Sequence, residues 1–175
     1  MTKPPIRIVI TGPESSGKST LTEHLATHYK TLWVAEYARE YIENLDREYN
    51  YNDILQIAKG QIARENELAT KTDKFLFCDT GLIVPKIWCD VKFGKCHPWI
   101  QDIIKTHHYD LYLLCKPDIP WQADPQRENP NDRDVLFEHY LDELKTRNLL
   151  YFIVEGKEGK RLCNSIQYIE DIFRM

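Results

Sequence analysis

Residues 12–19 read GPESSGKS, with the apolar run IRIVIT (6–11) directly before them and the helix-patterned STLTEHLATHY directly after. A strand that feeds a glycine-rich turn and then a helix points to a βαβ unit, in which the helix crosses back before the next parallel strand pairs. Gly12 and Gly17 open backbone shapes closed to other residues. Successive N–H groups then turn inward, and the positive end of the following helix faces the same point. The spacing G-x-x-x-x-G-K-[ST] suits the phosphates of a nucleoside triphosphate: Lys18 reaches the β- and γ-phosphates and Ser19 ligates Mg2+. Glu14, Ser15, Ser16 and Thr20 complete the loop and the first helical turn, and join Gly12, Gly17, Lys18 and Ser19 as candidate nucleotide contacts.

The rest of the chain repeats the alternation. Short apolar runs recur at LWVAE (32–36), FLFCD (75–79), LYLLC (111–115) and YFIVEG (151–156), with amphipathic patterns at 36–45, 53–68 and 134–145 between them. Such alternation predicts an α/β fold in three layers, a parallel sheet of about five strands with helices on both faces. A chain of 175 residues with 42% hydrophobic content supports one domain over 1–175. One stretch breaks the rhythm: PDIPWQADPQRENPNDR (117–133) mixes prolines, acids and arginines without periodicity, as a functional loop or lid does.

A formal net charge of −4 offers no general attraction for nucleic acid or anionic membranes, so any bound anion must be held locally. The five cysteines form no CxxC pair and read as reduced thiols. No apolar run approaches the length of a membrane span and no cleavage site follows the N-terminus, so the expectation is a cytoplasmic, unprocessed chain. His24 and His28 lack a third ligand at metal spacing, and Cys89, Cys96 and His97 are irregularly spaced, so neither group reads as a metal site.

The residues at strand ends carry the chemistry, because ligands bind at the carboxyl ends of strands in open α/β sheets. Asp79 ends FLFCD, where it can hold Mg2+ or cap the next helix. Glu36 ends LWVAE and suits a general base for an acceptor hydroxyl. Arg39 serves equally as an ion-pair partner, of Glu36 or of a neighbour on a solvated face, or as a substrate contact. In the irregular segment, Arg127 and Arg133 are candidates to fold over the triphosphate, beside Asp124 and Trp121. Trp121, Tyr37 and Trp88 are core residues or stacking platforms for an aromatic base. LYLLC is followed by KPDIPW rather than the guanine-reading NKxD, and nothing resembles a second nucleotide-sensing region. A small phosphotransferase fits better than a GTPase switch or an oligomeric ATPase, with a non-catalytic nucleotide-binding module as the non-enzyme alternative.

The segments GPESSGKSTLTEHLA, VAEYAREYIE, FCDTG, YDLYLLCKPDIPWQADPQRENPNDR and EGKEGKR together resemble the ribosylnicotinamide kinase domain of NadR-type proteins, over nearly the whole chain. That resemblance implies a nucleoside-monophosphate-kinase-like fold, with FLFCD beside the phosphate-loop strand and LWVAE outside it. It also implies ATP and Mg2+ as cofactors and transfer of the γ-phosphoryl group to the 5′-hydroxyl of nicotinamide riboside. Carried onto this chain, it places Gly12, Gly17, Lys18 and Ser19 at ATP and magnesium, Asp79 at magnesium, Arg127 and Arg133 in a lid, and Gly156 and Arg161 near the adenine. The chain carries neither the DNA-binding helix-turn-helix nor the HxGH-like motif that such proteins can have, so a freestanding kinase is expected. A kinase for another nucleoside or small metabolite is the alternative.

Overall fold

The structure is a computed structural model that describes residues 4–157 and 159–174. Five strands, β1 (Ile6–Thr11), β2 (Leu32–Val34), β3 (Phe75–Asp79), β4 (Leu111–Cys115) and β5 (Tyr151–Val154), form one parallel sheet in the order β2-β3-β1-β4-β5. FLFCD lies beside the phosphate-loop strand, with Val9 opposite Cys78 and Ile10 opposite Asp79, and LWV lies outside it. This is the order expected of the kinase-like sheet.

The strands alternate with a period of two between two cores, which is why they read as continuous apolar runs. Ile8 and Ile10, Phe75 and Phe77, and Leu111 and Leu113 face one side. There they meet Leu21, Leu25 and Ala26 of α1 (Lys18–Tyr29) and Ile169 of α7 (Gly159–Phe173). Val9, Leu76, Cys78, Tyr112 and Leu114 face the other side, covered by α2 (Tyr37–Glu43), α3 (Tyr51–Ala69), α4 (Ile83–Phe93), α5 (Pro98–Thr106) and α6 (Arg133–Thr146). Every residue of β3 and β4 is buried. Among the described residues no helix is long and apolar enough to cross a membrane, and all five cysteines are free.

Boundaries differ from the sequence reading where the chain turns early. β2 stops at Val34, so Glu36 is the N-cap of α2 rather than the last residue of a strand. β5 stops at Val154, ahead of the turn at Gly156, whose φ is 92°. Helices α4, α5 and α7 lie outside the amphipathic patterns at 36–45, 53–68 and 134–145, and α4, the helix expected after Asp79, has Leu82 rather than Asp79 as its N-cap. The run IVPKIWCDVKF is apolar on several sides and has a proline in its first turn, which blurs its helical period.

Candidate active site

The phosphate loop takes its shape from three residues with positive φ: Gly12 (137°), Ser15 (51°) and Gly17 (80°). Gly12 is also forced by space, since a Cβ there would lie 2.7 Å from the Cys115 carbonyl oxygen. Gly17 is the N-cap of α1 and brings no side chain to cap the helix's free N–H groups. The positive end of α1 is therefore open to an anion.

Arg161 braces this loop from behind. Although buried, it donates from Nε to the Gly156 carbonyl at 2.7 Å, from Nη1 to the Ser16 carbonyl, and from Nη2 to the Lys116 carbonyl and the Asp118 carboxylate. Asp118 in turn accepts from the Gly156 N–H at 2.6 Å. Gly156 and Arg161 thus join the ends of β4 and β5 to the phosphate loop, and these donors of Arg161 are spent on protein oxygens.

In front, Lys18 Nζ rests on the Pro13 carbonyl at 2.9 Å, which also accepts from Ser16 Oγ at 2.7 Å. Ser19 Oγ donates to Asp79 Oδ2 at 2.5 Å. Burial, together with the nearby Glu36 charge, raises the Asp79 carboxyl to about 6, against the opposing pull of Lys18, Ser19 and Thr80. Among the described residues no three His, Cys, Asp or Glu side chains are grouped to hold a metal. The Ser19 hydroxyl and Asp79 carboxylate are the hard oxygen donors that Mg2+ takes when phosphate oxygens and water complete its shell. They fit that ion.

A cleft of about 440 Å³ adjoins the loop, lined also by Glu36, Arg39, Tyr49, Trp88 and Lys92, with Tyr140 and Leu136 of α6. Glu36 lines it with no capping bond to its own helix. The charges of Glu36 and Glu14 add to burial in pushing the Tyr140 hydroxyl far above its usual range, so it stays protonated. Trp88 meets Tyr49 edge to face at 4.8 Å between centroids and donates from Nε1 to its hydroxyl at 3.0 Å. Arg39 pairs with Asp124 at 3.0 Å and lines the cleft, so ion pair and cleft contact hold together. Tyr37 and Trp121 lie elsewhere: Tyr37 packs on Gly60 of α3 beneath the Arg64 guanidinium, and Trp121 lies under Arg133.

The irregular segment closes over the loop. Glu14 accepts from the backbone N–H groups of Glu128 and Asn129, each at 3.0 Å, and Ser15 Oγ accepts from Gln122 N–H at 2.9 Å. Arg133, the first residue of α6, donates to the carbonyls of Ser15 and Ile119, while Arg127 lines the cleft and bonds the Gln122 carbonyl. Tyr49 donates to Glu128, which also pairs with Lys92 at 2.9 Å. Glu14 reads in the sequence as a nucleotide contact, but its carboxylate is turned to the irregular segment, a contact that the phosphate-loop motif does not record. Glu14→Ala should raise hydrogen exchange at the Glu128 and Asn129 amides at least about tenfold. Exchange as slow as in wild type would show that the segment is held by its other contacts.

A glycine-rich loop at the carboxyl edge of a parallel sheet, a lysine and a helix N-terminus around it, and a carboxylate on the neighbouring strand define a phosphate-loop protein of nucleoside-kinase-like architecture. The chain belongs to the AAA domain family, whose model matches residues 7–161. It is homologous to the trifunctional NAD biosynthesis/regulator protein NadR of Salmonella typhimurium, 32% identical over 173 residues that cover 94% of this chain and 42% of the relative. The NadR of Escherichia coli matches with the same coverage at 33% identity. The chain spans less than half the length of these curated relatives. Among solved structures, NadR in complex with NR superposes with a TM-score of 0.80 at 24% identity, over 97% of this chain and 51% of that one. A thymidylate kinase from Ehrlichia chaffeensis superposes at 0.69 with 11% identity, over 95% and 99%.

Proposed function

We propose that the protein is a kinase that transfers the γ-phosphoryl group of ATP to the 5′-hydroxyl of nicotinamide riboside, giving nicotinamide mononucleotide in the cytoplasm as a step of NAD salvage. The observation that carries this reading is one cleft lined together by the phosphate loop, by Glu36 and by the aromatic pair Tyr49 and Trp88. The homology to NadR and the likeness to NadR with NR support the choice of acceptor.

Phosphoryl transfer asks a protein mainly for alignment and for charge matched to the migrating group. Lys18, parked on the Pro13 carbonyl, shifts to the triphosphate, and Glu14, Ser15, Ser16, Gly17 and Thr20 line its place in the cleft. Ser19 and Asp79 would hold Mg2+, which would supply charge neutralisation to the triphosphate. Glu36 orients the 5′-hydroxyl and takes its proton. Arg127 adds planar charge from inside the cleft, and Arg133 adds it from the start of α6. Trp88 and Tyr49 flank the pyridine ring, and Arg39, fixed by Asp124, faces the ribose. Residues 1–175 act as a single kinase domain with 117–133 as its lid.

The test is ADP release with nicotinamide riboside, with deoxynucleosides and with no acceptor. Release that requires nicotinamide riboside is the expected result. Release with a deoxynucleoside alone would move the assignment to a deoxynucleoside kinase, and silence with every acceptor would leave a nucleotide-binding module.

A further inference from the structure

We propose that Gln61 is a positioning residue for the two carboxylates of the site, because its one buried amide ties the start of α2 beside Glu36 to the end of β3 at Asp79. The inference rests on the kinase reading above. Gln61 lies on α3 and is 2% exposed. Its Oε1 accepts from the Tyr37 N–H at 3.0 Å, and its Nε2 donates to the Asp79 carbonyl at 3.2 Å and to Glu65 Oε1 at 3.0 Å. A backbone N–H can only donate and a backbone carbonyl can only accept, so the two ends of the amide are fixed without ambiguity. Glu65, fully buried behind it, is held in turn by the Tyr109 hydroxyl at 2.8 Å and by His107 Nε2 at 3.0 Å.

Two local features make this bridge necessary. Glu36 is the N-cap of α2, yet its side chain makes no capping bond, and the first N–H of a helix needs an acceptor from somewhere. Gln61 supplies that acceptor from a neighbouring helix. The Glu36 carboxylate is thereby spared for the cleft, where an ordinary capping residue would have turned its oxygen back on its own backbone. On the other side, Asp79 is followed by Thr80 at a φ of 90° and Gly81 at 64°. A non-glycine residue in that region persists only where its surroundings over-determine it, and Gln61 holds the carbonyl immediately before it. The separation of Glu36 and Asp79 is therefore set by a side chain that itself touches neither carboxylate.

The test uses the full chain. Gln61→Met keeps length and bulk but removes both backbone bonds, whereas Gln61→Glu keeps an acceptor for Tyr37 but has at most one donor hydrogen where the amide has two, so the Asp79 carbonyl and Glu65 can no longer both be satisfied. Hydrogen exchange needs no acceptor substrate: the Tyr37 amide should exchange at least about tenfold faster in Gln61→Met, while the amides of β1 keep wild-type protection. Unchanged Tyr37 exchange, or loss spread over the whole core, overturns the proposal. In turnover, kcat should fall about tenfold or more in both variants while KM for ATP and for the acceptor stays within about threefold, since the phosphate loop and the aromatic and arginine lining of the cleft keep their own contacts and the loss falls on alignment of the two carboxylates. Wild-type kcat per folded molecule in either variant would reduce Gln61 to a core residue. If Gln61→Met does not fold, Gln61→Glu decides through kcat. If wild type turns over no acceptor, the kinase reading fails and the exchange arm alone decides here.

Discussion

Replacing Lys18 by alanine should leave a folded protein whose kcat/KM for phosphoryl transfer falls by about 10³-fold or more, a loss of about 4 kcal/mol of transition-state stabilisation. The lysine is half-buried and its hydrogen bond in the structure is to the Pro13 carbonyl, which keeps the Ser16 hydroxyl after the change. The fold therefore loses little, within about 1 kcal/mol. Lys18 is also one of the groups that pull the Asp79 carboxyl downward, so its removal should raise that carboxyl further above about 6 and weaken magnesium binding at neutral pH. Thermal denaturation checks the fold, and single-turnover phosphoryl transfer checks the chemistry. Turnover near wild type would remove the loop from the reaction.

Much of this site is visible in the sequence because its parts are local. The phosphate loop is one short stretch between a strand and a helix, and Asp79 sits where an apolar run ends. The alternation predicts a parallel sheet, whereas its strand order comes from the resemblance to the kinase family and not from any local pattern. Long-range contacts are what escape. Gln61 and Glu65 lie on α3 at helical spacing, and their polar character suggests a solvated face; both are buried because they serve the Tyr37 N–H, the Asp79 carbonyl, His107 and Tyr109. Arg161 reads as a basic residue of a terminal turn, and only the fold brings it behind the phosphate loop. Tyr37 neighbours Glu36 in sequence, but α2 begins at Tyr37 itself, so its side chain is carried off to Gly60. In each case a backbone group left over by one element is satisfied by a side chain from another, and no local pattern records that debt.

Asp79→Asn should separate the stability of the protein from its activity. In the folded protein the Asp79 carboxyl ionises at about 6, raised chiefly by burial and then by Glu36, against 3.8 for an ordinary aspartate. Between those two values the folded chain holds a proton that the unfolded chain has released. Stability therefore falls as pH rises through that window, and the cost is complete above about pH 6. A shift of this size corresponds to about 1–3 kcal/mol. Asparagine keeps an oxygen for the Ser19 hydroxyl and carries no charge to desolvate. At pH 7.5 the ligand-free Asp79→Asn protein should accordingly melt several degrees above wild type, and near pH 4, where the wild-type carboxyl is also neutral, the two should melt together. Phosphoryl transfer should move the other way, falling about 100-fold or more, because the neutral amide is a poor partner for a divalent cation. Added magnesium nucleotide should then stabilise wild type more than the variant and narrow or reverse the gap in melting temperature. A variant no more stable than wild type at pH 7.5 would show that the buried carboxylate is compensated by its neighbours. Retained activity would place the metal on other oxygens.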